Sequence, residues 1–457
     1  MKPAAFFFRT FLLATFTLSL LGGVIFTDYY LRHEVTRKAK RFLTERGVEL
    51  APASAIQAAE KGDLVILEQL ETAGLNLGAA DGSGGTPLLA AVKGGDVPAI
   101  DFLIGRDTVI ASINQLSEPD RETPLVIALR ERNFSLADRL IARGAVLEVD
   151  TEAGLPFLIA AVQSKDSGMI DYLLNKGVKV DYKGSQPTTA LAVSSNLGEF
   201  ELMKRLIAAG ADPNARGISG KPLLIEAVKE GNREKFDLFL ASKADVNAKT
   251  GDNVGAEMTA LSFAIAQKDV PVQEALLKAG ATPDVLSVSG EPLLFEAVAA
   301  SDMPVTQRLL AQGASTKVLS SEKLSPLAFA VKNEDLDMVD LLVANGCDPS
   351  FNGAGMEAPL LVAVNNGNLA ISHQLIAAGA QLDKQVLLAK SYTMRDDPLM
   401  SLLLNSGADP ESTLPGTSDR VFDIAVREGA TGAVRTLLAA GAKIGDNLWA
   451  ALLTGQD

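Results

Sequence analysis

Cysteine is nearly absent: Cys347 stands alone, so no intramolecular disulfide can form and a disulfide-built scaffold is excluded. Histidine occurs twice, at His33 and His373, too little for a histidine-based metal site or a Ser–His–Asp relay. No H-E-x-x-H, C-x-x-C or G-x-S-x-G motif occurs. Basic residues are the minority, 42 Lys and Arg against 56 Asp and Glu, a formal net charge of −14. A free-standing nucleic-acid binder carries the opposite sign, because binding neutralises phosphates, so no nucleic-acid partner is expected. Aromatics make up only 5%, which leaves an aliphatic core. The hydrophobic fraction of 47% is nevertheless more than a disordered chain carries. At 457 residues there is material for about three ordinary domains.

One stretch lacks charge altogether. Thr10 to Thr27 holds Phe11, Leu12, Leu13, Phe16, Leu18, Leu20, Leu21, Val24, Ile25 and Phe26. As a helix it would be about 27 Å long, against a bilayer core of roughly 30 Å. Tyr29 and Tyr30 follow where interfacial aromatics sit. Lys2 and Arg9 give the basic start of a cleavable signal, but the run is long and no A-x-A site closes it. The expectation is a short basic tail at 1–9 and a transmembrane signal anchor at 10–30. An exported soluble chain with a cleaved signal is the alternative.

A basic juxtamembrane helix or linker is expected at 31–52. Arg32, Arg37, Lys38, Lys40, Arg41 and Arg46 share it with Leu31, Val35, Ala39 and Phe42 at helical spacing. That pattern suits the surface of an anionic leaflet, or equally a solvated linker. Residues 1–50 hold eight basic and four acidic side chains, a net of +4, and the remainder holds 34 and 52, a net of −18. The basic flank after the span places the large domain on the cytoplasmic face by the positive-inside rule. A periplasmic or exported location is the alternative.

The rest repeats one unit. A phrase of the form Leu-Leu/Ile-x-x-Gly-Ala recurs, as in Leu140-Ile141-Ala142-Arg143-Gly144-Ala145 and Leu206-Ile207-Ala208-Ala209-Gly210-Ala211. It ends at Gly74, Gly144, Gly177, Gly210, Gly280, Gly313, Gly346, Gly379, Gly407 and Gly441, and in degenerate form at Asp107 and Lys243. The steps are 33, 37, 33, 33, 33, 37, 33, 33, 33, 28 and 34 residues, and chance does not hold such a register. A second phrase lies ahead of each: Thr86-Pro87-Leu88-Leu89, Thr123-Pro124-Leu125, Lys221-Pro222-Leu223, Glu291-Pro292-Leu293, Ser325-Pro326-Leu327 and Ala358-Pro359-Leu360.

Each phrase has a physical reading. Pro opens a helix at its first turn, and a preceding Thr or Ser caps it. Gly-Asp or Gly-Asn turns the chain, as at Gly95-Asp96, Gly231-Asn232 and Gly367-Asn368. A second helix with paired Leu or Ile ends at the repeat glycine. About ten polar residues lead to the next copy. The short step before Gly407 predicts a shortened unit with an irregular stretch from Tyr392 to Asp397. Leu448-Trp449-Ala450-Ala451-Leu452-Leu453 reads as a closing helix, giving a repeat region at 53–445 and a cap at 446–457.

This pattern resembles the ankyrin repeat, whose unit opens with Thr-Pro-Leu-His and closes with Gly-Ala-Asp-x-Asn. The close is matched by Gly210-Ala211-Asp212-Pro213-Asn214, Ala244-Asp245-Val246-Asn247, Cys347-Asp348-Pro349 and Gly407-Ala408-Asp409-Pro410. The resemblance implies an all-α ankyrin-repeat solenoid of about twelve stacked helix-turn-helix units with short hairpin-like loops, membrane-anchored and of bacterial type. The opening histidine is missing throughout; Leu89, Val126, Leu224, Leu294 or Leu361 stands in its place. In the family that imidazole ties adjacent loops, so apolar packing must replace it here.

Chemistry is sparse. His373 faces solvent by register, and Cys347 reads as a buried small side chain. Gly353-Ala354-Gly355-Met356-Glu357-Ala358 follows no strand, and Gly82-Ser83-Gly84-Gly85 lacks the Lys of a phosphate loop. No catalytic residue, cofactor or metal is expected. The resemblance implies a monomeric, non-catalytic scaffold for another protein; a structural envelope element is the alternative. The tips between repeats differ among copies while the Leu/Gly/Pro framework stays constant, so recognition belongs to the tips. The 37-residue steps enlarge two of them, at about 111–122 and 248–258. Glu118, Asp120, Glu152, Arg216, Lys249 and Asp252 are the candidate partner contacts.

Overall fold

The computed structural model describes residues 31–151, 153–251, 257–351, 357–381 and 384–445. The expected span at 10–30, the expected cap at 446–457 with Trp449, and the candidates Glu152 and Asp252 lie outside them. Among the described residues no helix is long and apolar enough to cross a membrane. The chain divides into two compact units, one ending at Ile218 and the other starting at Ser219.

Helices come in antiparallel-type pairs, a first helix of about two turns and a second that is of similar length or, in most pairs, two residues longer. In the first unit the pairs are Pro52–Glu60 with Leu64–Thr72, Pro87–Gly94 with Val97–Ile104, Pro124–Arg130 with Phe134–Ala142, Phe157–Gln163 with Ser167–Asn175, and Ala190–Asn196 with Phe200–Ala208. A short extra helix, Asp107–Ile110, occupies part of the first long step. In the second unit they run from Leu223–Lys229 with Arg233–Ala241 to Val421–Arg427 with Thr431–Ala439. Among the described residues no strand forms; isolated antiparallel bridges such as Asp150–Pro156 and Leu286–Pro292 close hairpin-like loops.

One pair shows why the sequence folds this way. The Thr86 hydroxyl accepts the Leu89 N–H at 3.2 Å, with Pro87 at the first helical position. Gly95 takes φ +68°, a left-handed turn that costs glycine little. Asp96 then caps the second helix, accepting the Ala99 N–H at 2.8 Å. Leu88, Ala91, Ile100 and Leu103 are buried, and the alanine lets helices approach closely. In the next pair the Ala145 N–H closes back on the Leu140 carbonyl at 3.0 Å around Gly144 at φ +97°, the left-handed helix ending the repeat glycine serves.

Two sequence expectations need correction. Pro222 and Pro292 stand one position before their helices, at N-cap with extended ψ of 137° and 135°, whereas Pro359, also without a hydroxyl before it, takes the first helical position. The stretch from Tyr392 to Asp397 is not irregular. Tyr392 lies in the helix Lys384–Thr393, and Asp396 caps Asp397–Asn405 by accepting the Leu399 N–H at 2.9 Å. The shortening falls between Gly379 and Lys384, where this copy lacks a Pro-led loop. Residues 31–45 form a helix. Ala39 and Leu43 are buried, whereas Leu31 and Val35 are 62% and 51% exposed.

Candidate interaction surface

Where a histidine would tie adjacent loops, Leu89, Val126, Leu224 and Leu294 are buried. The loops are tied elsewhere as well, by polar side chains at the tips. The Asn114 amide donates to the Gly144 carbonyl at 3.0 Å and accepts the Val146 N–H at 2.9 Å. Asn247 repeats this on Gly280 and Thr282, at 3.1 and 2.8 Å. Asp181, Asp284 and Ser350 accept single backbone N–H groups of the following loop, from Asp212, Ser315 and Gln381. Burial raises the Asp181 carboxyl above its usual range, and the Asp212 N–H pulls the other way.

The long tip at 111–122 is built rather than loose. The Ser117 N–H donates to the Glu122 carbonyl at 3.1 Å, and the Glu118 N–H reaches the Ser83 carbonyl of the preceding tip at 2.7 Å. The Asp81 carboxylate braces that preceding tip, accepting the Ser83 hydroxyl and the Ser83 and Gly85 N–H groups. The Glu122 side chain is only 5% exposed and meets Lys93 at 2.7 Å and Arg130. Burial alone would raise its carboxyl, but hydrogen bonds from Lys93 and Arg130 hold it below the usual range. The same contact raises Lys93.

Two clefts flank this tip. One of about 310 Å³ is lined by Glu60, Ser83, Lys93, Glu118 and Asp120 among others. The other, about 300 Å³, lies between the tips and includes Leu116, Asp120, Val146, Asp150 and Tyr182. Glu118 and Asp120 are exposed here, and Asp120 approaches Lys93 at 3.4 Å. Arg216 is exposed in the same unit but lines neither cleft. Lys249, exposed in the second unit, pairs with Glu257 at 2.6 Å. The sequence reading missed Lys93, Glu122 and Arg130. A signal existed: Lys93 and Arg130 each stand three residues before the cap of a second helix, Asp96 and Asn133.

First helices of the second unit carry a different pattern. Glu226 and Glu296 accept the hydroxyls of Ser219 and Ser289 on the tips. The Phe295 and Phe329 rings pack edge to face at 5.1 Å, and Lys229 lies 5.2 Å from the Phe263 ring. His373 is exposed. Cys347 is buried, which pushes its thiol up to about 11. Among the described residues no group of three or more His, Cys, Asp and Glu is arranged to hold a metal ion.

A family model described as ankyrin repeats (3 copies) matches residues 55–153, 157–250 and 294–386, more than half of the chain. A putative ankyrin repeat protein of Rickettsia felis is 33% identical over 139 residues, 29% of this chain and 61% of the relative. A putative ankyrin repeat-containing protein of Treponema pallidum is 29% identical over 168 residues, covering 35% and 54%. The ankyrin repeat and KH domain-containing protein mask-1 of Caenorhabditis elegans is 27% identical over 242 residues, 52% of this chain but 9% of the relative. The chain thus spans under two thirds of the length of each.

Proposed function

The chain belongs to the ankyrin-repeat family, and from that premise we propose that it is a non-catalytic, membrane-anchored scaffold that holds another protein on its repeat tips. One observation carries the reading: the leucine that recurs after the opening of the first helices is buried, while charged side chains that differ between copies stand exposed on the tips. Leu88, Leu125, Leu191, Leu223 and Leu293 are each buried in their own pair. Glu118, Asp120, Arg216 and Lys249 are exposed. Framework residues are committed to stacking each unit on its neighbours, so the tips are free to serve recognition. The reading counts twelve units, one per helix pair, in a monomer. Anchoring rests on the charge-free run from Thr10 to Thr27 and the basic residues after it, with the repeats on the cytoplasmic face.

The test is photo-crosslinking in the native cell, with a photoreactive residue at Glu118 or Lys249 on the tips, or at Lys204 on a second helix. A discrete adduct from either tip, with none from Lys204, is the expected outcome. Silence at both tips, or equal labelling from Lys204, would count against the tips as the binding surface.

A further inference from the structure

We propose that the cleft between the tips at 114–121 and 146–151 receives an arginine side chain of the protein partner. Its stem would lie on Leu116, Val146 and Tyr182, and its guanidinium among the carboxylates of Asp120, Glu148 and Asp150. This rests on reading the tips as a protein-binding surface.

The cleft has about 300 Å³, room for one long side chain, and its lining is mixed in the way such a side chain needs. Leu116 and Val146 leave 37% and 45% of their surface exposed at its rim. Three carboxylates line it against one guanidinium, that of Arg121. Two of the three already have partial countercharges: Asp120 approaches Lys93 at 3.4 Å, and Glu148 approaches Lys179 at 3.9 Å. Asp150 has no lysine or arginine partner among the described residues. Its Oδ1 is buried and accepts no hydrogen bond, while the Tyr182 hydroxyl hydrogen-bonds the same carboxylate. The Oδ1 oxygen is pressed against Gly184, where an added Cβ would come within 2.8 Å of it. The Tyr182 hydroxyl satisfies part of the carboxylate but brings no positive charge, and a guanidinium in the cleft would supply one. Tyr182, half-buried beside Asp150, supplies an aromatic ring, and a planar guanidinium both stacks on rings and bridges carboxylates, which an ammonium does less well. The surroundings agree in sign, since residues 51–457 carry 52 acidic and 34 basic side chains.

The full chain in detergent micelles, with its Leu and Val methyl groups labelled, is titrated with the blocked peptide Gly-Gly-Arg-Gly-Gly and with its uncharged citrulline counterpart. The arginine peptide is expected to move the Leu116 and Val146 methyl signals, the citrulline peptide to bind at least about tenfold more weakly, and Asp150→Asn to lose about tenfold for arginine at unchanged melting. Equal binding of the two peptides, or an Asp150→Asn variant that binds arginine as the parent does, would overturn the proposal. If Asp150→Asn does not fold, the contrast between the two peptides in the parent chain decides. A tip adduct at Glu118 without arginine binding sinks this inference alone; no tip adduct at all sinks the reading beneath it.

Discussion

The residue just before the cap of each second helix must turn left-handed. Gly62, Gly95, Gly198, Gly231, Gly367 and Gly429 do so with φ of 63–72°. In the other copies the same turn is made by side-chain-bearing residues: Arg132, Lys165, Lys268, Ser301, Glu334 and Arg395, at φ of 50–58°. An L residue with a Cβ is strained there by about 1 kcal/mol, partly offset because glycine loses more freedom on folding. Lys268 is exposed, and Gly231 has open space where a Cβ would go. Lys268→Gly is therefore expected to raise stability by about 0.5–1 kcal/mol, and Gly231→Ala to lower it by a similar amount. Denaturant unfolding of both variants checks this, and a loss in Lys268→Gly would refute it. Four of the glycine-bearing turns, at Gly62, Gly95, Gly231 and Gly367, were legible as Gly-Asp or Gly-Asn pairs, whereas Gly198 and Gly429 precede Glu199 and Ala430. The turn at Lys268-Asp269 was not legible, because tertiary packing fixes a backbone that the local residues do not favour.

Among the elements, the tip at 117–122 is the one whose construction the sequence concealed. Its pin is Glu122, which joins Lys93 on one first helix to Arg130 on the next, a contact between residues far apart in the chain. Glu122→Gln leaves a buried group short of its charged bonds, and is expected to cost about 1–3 kcal/mol. The lower part of that range is favoured because Lys93 and Arg130 are each 41% exposed. The sign with pH follows from the lowered carboxyl. The parent's advantage over the variant is complete above the ordinary carboxylate range, about pH 4.5, and disappears as pH falls through the lower folded value. Urea unfolding of both chains from pH 7 down to pH 3 measures it; parallel curves would mean the charge contributes nothing. The helices themselves were far more legible than this tip. Thr86, Thr123 and Ser325 announce their caps, whereas after Lys221 and Glu291 the start shifts by one residue, a shift that Ala358-Pro359, equally without a hydroxyl, does not show.

On the scale of the molecule, the fold was readable because each copy states it again, and a register of Gly and Pro at a fixed period survives local degeneracy at Asp107 and Lys243. The proposed partner surface has no such signature, because a tip has no periodic duty. Charge is the one property of the whole chain that bears on where it works. A net of +4 over residues 1–50 faces −18 over the rest, so an anionic leaflet attracts the first part and repels the second. Such a chain would hold its repeats off the membrane with the tips in water, provided that residues 10–30 stay attached. Sodium carbonate at high pH strips proteins held by charge alone and leaves those held by a span. The full chain is expected to remain in the membrane pellet after that wash, and residues 51–457 expressed alone to stay in the supernatant. A mature chain beginning near residue 23–28 by mass mapping would show a cleaved signal in place of the anchor. Release of an uncleaved full chain by carbonate would leave only the basic helix as a charge-held contact.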